Sequence, residues 1–123
     1  MAKRPIRLAT ILCGECVREG GRRRPVIGEV WKYLDGRIYW HALDARHARA
    51  RRSRNILTTK ARDRVPLAIP EGASDLPPHL LRGLRSVPET LRAFCRYHGP
   101  GRVASSDITK ARGSVAVKFT ATT

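Results

Sequence analysis

Cys13-Gly-Glu-Cys16 and Cys95-Arg-Tyr-His98 are the two short stretches of this 123-residue sequence that decide its fold. In each of them two metal-binding residues stand three positions apart, which lets both side chains reach a single ion from one tight turn. Together the turns supply three thiolates and one imidazole, a complete tetrahedral ligand set. The sequence therefore predicts one structural zinc ion, Zn²⁺, bound by Cys13, Cys16, Cys95 and His98.

The segments next to the two turns have the character of strands. Residues 9–12 form a short apolar run that ends at Cys13, and we favour a strand at the Cys95 end of the segment before the second turn. Two such turns, the second followed by Gly99, resemble the pattern of zinc-ribbon proteins, with the long interval between them as an insertion. Ribbon-like modules occur in ribosomal proteins, transcription factors and polymerase subunits. The resemblance therefore implies a zinc-bound core and a place in nucleic-acid machinery.

Two other interpretations of the cysteines stay open. A redox-active Cys-x-x-Cys begins a helix, whose dipole lowers the thiol pKa, but residues 17–24 contain Gly20-Gly21 and a run of three Arg and make a poor helix. Alternatively, the cysteines are buried without a metal and His98 lies at the surface, since free Cys is common in protein cores.

A β-hairpin is the clearest local structure that the sequence predicts. Segments 27–34 and 37–43 flank Asp35-Gly36, the dipeptide favoured by two-residue type I′ turns. A two-residue turn pairs Trp31 with Trp40 and places both on one apolar face, which we interpret as part of the core. The other, more polar face then carries Lys32, Arg37 and Tyr39.

The remaining segments complete the expected fold. The Pro-rich segment 65–78 is expected to be a linker that packs through Leu67 and Ile69, and 77–84 a short helix. A turn or two of helix is expected over 107–112 and a strand over 115–120. The fold class is thus α+β and β-rich, with a small zinc-ribbon-like antiparallel sheet, a β-hairpin and one or two short helices. Residues 1–123 are expected to form a single zinc-stabilised domain.

Positive charge is the most unusual overall property of the sequence. It has 25 Lys and Arg against 10 Asp and Glu, a formal net charge of +15. Cations that neutralise phosphates release condensed counterions, so such a chain gains affinity for DNA or RNA, between which the sequence does not decide. The predicted contacts lie in the basic loops 20–25 and 45–55 and on the polar hairpin face, and comprise Arg22, Arg23, Arg24, Arg46, Arg49, Arg51, Arg52, Arg54, Lys32, Arg37 and Tyr39.

These features favour a non-catalytic accessory module that binds the nucleic-acid phosphate backbone. Four protein ligands leave a zinc ion no open position for water, and the sequence has no G-x-x-x-x-G-K-[ST], G-x-S-x-G or H-E-x-x-H motif. One alternative is a protein-binding adaptor that docks on an acidic surface of a larger nucleic-acid machine. Another is a nuclease resembling the HNH family, in which a His activates water; here His41 follows the hairpin and Asn55 lies fourteen residues further along the chain.

Nothing in the sequence indicates a membrane partner or secretion. The basic N-terminal stretch does not resemble a signal peptide, because Arg7 interrupts its apolar run and no small-residue cleavage site follows. No segment has the roughly 18–20 apolar residues needed to cross a bilayer. We therefore expect a cytoplasmic protein, in which reducing conditions favour metal binding by cysteines over disulfides.

Overall fold

Seven strands and two short helices form the regular structure in the described part of this computed structural model, which covers residues 4–20, 25–43, 64–69, 77–88, 90–111 and 114–121. The β-rich character expected from the sequence is confirmed. In chain order the elements are β1 (Ile6–Cys13), α1 (Gly14–Arg18), β2 (Val26–Lys32), β3 (Ile38–Ala42), β4 (Arg64–Pro66), α2 (Pro77–Arg85), β5 (Arg92–Cys95), β6 (Gly99–Ala111) and β7 (Ser114–Ala121).

All seven strands belong to one mixed sheet that curls into a half-barrel, in the order β4-β3-β2-β1-β7-β6-β5. Neighbouring strands are antiparallel except β1 and β7, which run parallel with Cys13 opposite Val117. The sheet is therefore larger than the small antiparallel ribbon expected, and it is mixed. A parallel pair requires a long crossover connection, and here most of the chain lies between the two strands. A local sequence pattern therefore cannot predict this pairing.

The curl of the sheet brings β5, at one end of the strand order, against β2 and β3 near the other end. The backbone N–H of Phe94 donates to the carbonyl of Leu43 at 2.9 Å, and the N–H of Leu43 donates to the carbonyl of Ile27 at 2.9 Å. The end of β5 therefore lies beside the start of β2. This closure places the second metal-binding turn next to the first.

The β2–β3 hairpin is present, but its loop has three residues instead of two. The N–H of Tyr33 donates to the carbonyl of Arg37 at 2.9 Å, and the N–H of Gly36 donates back to the carbonyl of Tyr33 at 3.0 Å. Gly36 adopts φ +84°, the left-handed conformation that closes a three-residue loop built on a type I turn. The predicted register is therefore wrong by one residue, and Val30 rather than Trp31 lies opposite Trp40.

A shift of one residue reverses the faces of one strand relative to the other. Trp40 is fully buried on the inner face with Val30, Ile38 and Ala42, whereas Trp31 lies on the outer face opposite Tyr39. The prediction that both Trp residues share a face is therefore wrong. Lys32 also changes sides, because it pairs with Ile38 and lies on the face opposite to Tyr39.

The hydrophobic core fills the inner side of the half-barrel. Its largest fully buried side chains are Trp40, Phe119, Ile11, Ile27 and Leu84. Burial of each side chain of this size contributes about 1.5–3 kcal/mol to folding. Helix α2, which agrees with the helix expected at 77–84, packs against this core through its buried residues Leu80 and Leu84, and Leu67 and Ile69 pack there as well.

The helical turn expected over 107–112 is wrong, since β6 continues as a strand to Ala111. The pairing with β7 shifts register between Ala104 and Ile108 and then resumes, with Ile108 opposite Val117. Backbone pairing with a neighbouring strand has here overridden the local capping signal on which the helix prediction rested.

The contact between Gly28 and Trp40 provides a test of the observed register. A Cβ atom at Gly28 would lie 2.6 Å from Trp40 Nε1 and 2.8 Å from the backbone oxygen of His41, which cannot move aside. Gly28→Ala is expected to lower the free energy of unfolding by about 1–3 kcal/mol, as overpacking does, in urea titrations followed by circular dichroism.

Gly36→Asn is the matched control, because Asn tolerates positive φ and a Cβ at Gly36 meets no atom within 4 Å. It is expected to cost much less stability than Gly28→Ala. Equal stability of Gly28→Ala and the unmodified protein would contradict the packing of Trp40 over Gly28.

Candidate metal centre

The four predicted ligands lie together, and their donor atoms are all within 4.8 Å of one another. His98 Nδ1 is 3.1 Å from Cys16 Sγ, 3.5 Å from Cys95 Sγ and 3.7 Å from Cys13 Sγ. Cys16 Sγ and Cys95 Sγ are 3.5 Å apart. A tetrahedral ion with bonds of about 2.3 Å to sulfur and 2.0–2.1 Å to nitrogen separates its donors by about 3.5–3.8 Å. The cluster is therefore of a size that could hold one metal ion.

The first metal-binding turn joins β1 to α1. Cys13 ends the strand and is the N-cap of the helix, which covers only Gly14–Arg18 before the chain leaves it. The Cys13 side chain makes no capping hydrogen bond at this helix. Gly14 is required by close packing, since a Cβ there would lie 2.8 Å from the carbonyl oxygen of Val117 in β7.

The second turn joins β5 to β6 in a hairpin, whereas the first leads from a strand into a helix. The backbone N–H groups of Tyr97 and His98, two and three positions after Cys95, donate to the Cys95 sulfur. Gly99 adopts φ +77° and pairs with Cys95 across the hairpin, so the chain reverses directly after His98. At Cys95, therefore, the backbone points positive N–H dipoles at the sulfur, an arrangement that stabilises a thiolate.

Tertiary contacts rather than local sequence bring the two turns together. The N–H of Cys13 donates to the carbonyl of Pro25 at 2.8 Å, which ties the first turn to the start of β2. Phe94, the neighbour of Cys95, is tied to the same region through Leu43. Both turns are thus linked by backbone hydrogen bonds to the region at the beginning of β2.

Burial and hydrogen bonding make the three thiols chemically different. Burial raises the pKa of Cys13 and of Cys16, since the charged thiolate loses its water. Burial also opposes ionisation of Cys95, but hydrogen bonds from the Tyr97 N–H and from His98 lower its pKa below the ordinary value. Two thiols of the cluster are thus held in the neutral form unless a cation balances their charge, which is what a bound divalent metal supplies.

His98 connects the cluster to the surface, and sequence reasoning missed its partner. Its Nδ1 faces the three sulfurs, while its Nε2 lies 3.1 Å from Glu19 Oε1 at the end of the first turn. Hydrogen bonds to Cys95 and Glu19 raise the pKa of His98. A carboxylate on the outer nitrogen of a metal-binding His orients the ring and increases its basicity. No spacing rule identifies Glu19, because the contact joins residues from two distant turns.

The other predicted site residues lie away from the cluster. Arg37 and Tyr39 are on the outer face of the hairpin, and Lys32 is on the opposite face. His41, considered for a nuclease, is fully buried in β3, with its Nε2 2.8 Å from the hydroxyl oxygen of Tyr33. The predicted contacts Arg22, Arg23, Arg24, Arg46, Arg49, Arg51, Arg52 and Arg54 lie outside the described residues, as does Asn55.

Removal of a ligand tests the metal centre directly. His98→Ala and Cys95→Ala proteins purified without chelator are expected to lose most of the bound metal, measured by elemental mass spectrometry. Their unfolding midpoints should fall by at least about 10 °C, because metal binding contributes to folding. His79→Ala is the control, since His79 lies outside the cluster, and it should keep its metal. Unchanged metal content in both ligand variants would show that the cluster binds none.

Replacement of Glu19 tests its role behind His98. Glu19→Gln is expected to weaken metal affinity by about 10–100-fold, as is usual for groups that orient a ligand, in competition titrations with a chromogenic chelator. Glu15→Gln is the matched control, because Glu15 pairs with Arg18 at 3.6 Å. Equal affinities for the two variants would contradict an orienting role for Glu19.

No protein-family model, curated protein or solved structure matches the chain. Within the part of the chain that the structure describes, no helix is long and apolar enough to cross a membrane. The four-residue cluster, which could hold a metal ion and fits a zinc-binding module, is thus the feature from which a function has to be inferred.

Proposed function

We propose that this chain is a non-catalytic, zinc-stabilised module that binds the phosphate backbone of nucleic acids. The observation that carries the proposal is a closed Cys₃His cluster in a chain whose formal net charge is +15. Such a cluster stabilises a small fold, and such a charge attracts polyanions.

Donor chemistry supports zinc as the metal. Three thiolates and one imidazole, in a compact cluster compatible with tetrahedral geometry, are ligands that suit Zn²⁺ better than Mg²⁺ or Ca²⁺, which prefer oxygen. Four protein ligands complete the coordination shell, so the ion has a structural role and leaves no position for a reacting water. In this proposal the two strand-flanked turns are a ribbon-like element within a larger sheet.

Charge supports nucleic acid as the partner. Each phosphate that a Lys or Arg neutralises releases counterions, which makes affinity depend strongly on salt and little on sequence. The basic segments 20–25 and 45–55 are the proposed contacts, together with Arg37 on the hairpin, whose side chain is 75% exposed.

A salt titration tests the proposal. Fluorescence anisotropy with DNA and RNA oligonucleotides is expected to show log K falling linearly with log salt. The variant in which Arg46, Arg49, Arg51, Arg52 and Arg54 become Ala should bind more weakly and show a shallower slope. Replacement of the same five residues by Lys is the control, since it keeps the charge and should keep most of the slope.

Two outcomes would reject the proposal. One is no binding to DNA or RNA at low salt. The other is a five-Ala variant with the affinity and salt slope of the unmodified protein. Capture of an acidic protein partner that survives nuclease treatment, without any binding to oligonucleotides, would instead favour the adaptor alternative.

A further inference from the structure

The outer face of β2, β3 and β4 concentrates aromatic rings and arginines. The register places Tyr39 opposite Trp31 on one side and Pro66 on the other, and places Arg64 opposite His41. We call this surface the aromatic–arginine face, and it comprises Tyr33, Arg37, Tyr39 and Arg64, whereas Trp31 is only 7% exposed. The one-residue shift of the hairpin creates it, because the two-residue turn would have placed Tyr33 with the buried Trp40.

The rings and cations of this face contact one another in a fixed arrangement. Tyr33 and Tyr39 meet edge to face, with centroids 5.3 Å apart and planes at 88°. The Arg64 guanidinium carbon lies 5.0 Å from the centroid of Tyr33 and 5.8 Å from that of Tyr39. Tyr33 also stacks on the buried His41, with ring centroids 5.7 Å apart. The Tyr33 hydroxyl oxygen lies 2.8 Å from His41 Nε2. The face is therefore ordered before any ligand binds.

The two arginines of the face have different partners. Among the described residues no carboxylate pairs with Arg64, whose contacts are the two Tyr rings. Arg37 forms an exposed ion pair with Asp35, with 3.8 Å between Arg37 Nε and Asp35 Oδ2. Both guanidinium groups thus keep positive charge beside half-buried tyrosine rings.

We propose that the aromatic–arginine face binds single-stranded nucleic acid, with an unpaired base stacked on Tyr39 and the flanking phosphates bound by Arg37 and Arg64. This inference rests on the proposed phosphate-binding function and adds to it a preference for unpaired strands. Bases stack on tyrosine rings and on Arg guanidinium planes without regard to sequence, whereas the bases of a duplex are already stacked on one another. Charge complementarity and the ring arrangement therefore favour a single strand over a duplex.

The test compares three ligands at one salt concentration: an oligothymidine, an abasic strand with the same number of phosphates, and a duplex of the same length. The oligothymidine is expected to bind about tenfold more tightly than the abasic strand, the usual effect of one stacked base. Tyr39→Leu should remove this difference and leave abasic affinity and the salt slope unchanged. Tyr39→Phe keeps the ring and should retain tight binding.

Tyr39→Phe is thus the matched control, and metal content and thermal melting verify each variant. If Tyr39→Leu does not fold, the affinities of the unmodified protein for oligothymidine and for the abasic strand are sufficient to test the stacking site. Equal affinity for those two strands, or an unaffected Tyr39→Leu, overturns the stacking site while the phosphate proposal stands. No binding to any of the three ligands at low salt overturns both.

Discussion

The convergence of two distant turns on one small volume is the constraint on which the rest of this structure depends. Cys13 and Cys95 are both fully buried, and a third thiol and an imidazole lie within bonding reach of a shared ion. Burial raises the pKa values of Cys13 and Cys16, so a cation beside them would favour their thiolate forms. A metal bound here would join the first and last thirds of the chain, and its binding free energy would become folding free energy.

A three-residue loop has a comparably large effect on the other side of the molecule. The left-handed conformation of Gly36 sets the register of β2 and β3 and so decides which aromatic residues enter the core. Trp40 is buried in the core, whereas Tyr33 and Tyr39 lie on the outer face, where the Arg64 guanidinium contacts both rings. The one-residue shift of the hairpin register, which places Val30 rather than Trp31 opposite Trp40, therefore also creates the surface proposed to bind unpaired bases.

The four residues of the candidate metal site could be identified from spacing alone, because two residues three positions apart on a tight turn are a local geometric fact. Glu19 could not, since its contact with His98 depends on how the two turns pack. The strands next to the cysteines and the helix after Pro77 were also predictable from local patterns. The strand at 107–111 was not, because pairing with β7 outweighed a local helix signal.

The sequence by itself determined the ligand types, the excess of positive charge, the existence of the hairpin and the β-rich character, since each of these follows from composition or from residues close together in the chain. Only the tertiary structure decided the parallel pairing of β1 with β7, the hairpin register and the closure of β5 onto Leu43. These features arise from contacts between residues far apart in sequence. Their energies depend on packing across the whole sheet, which no local pattern encodes.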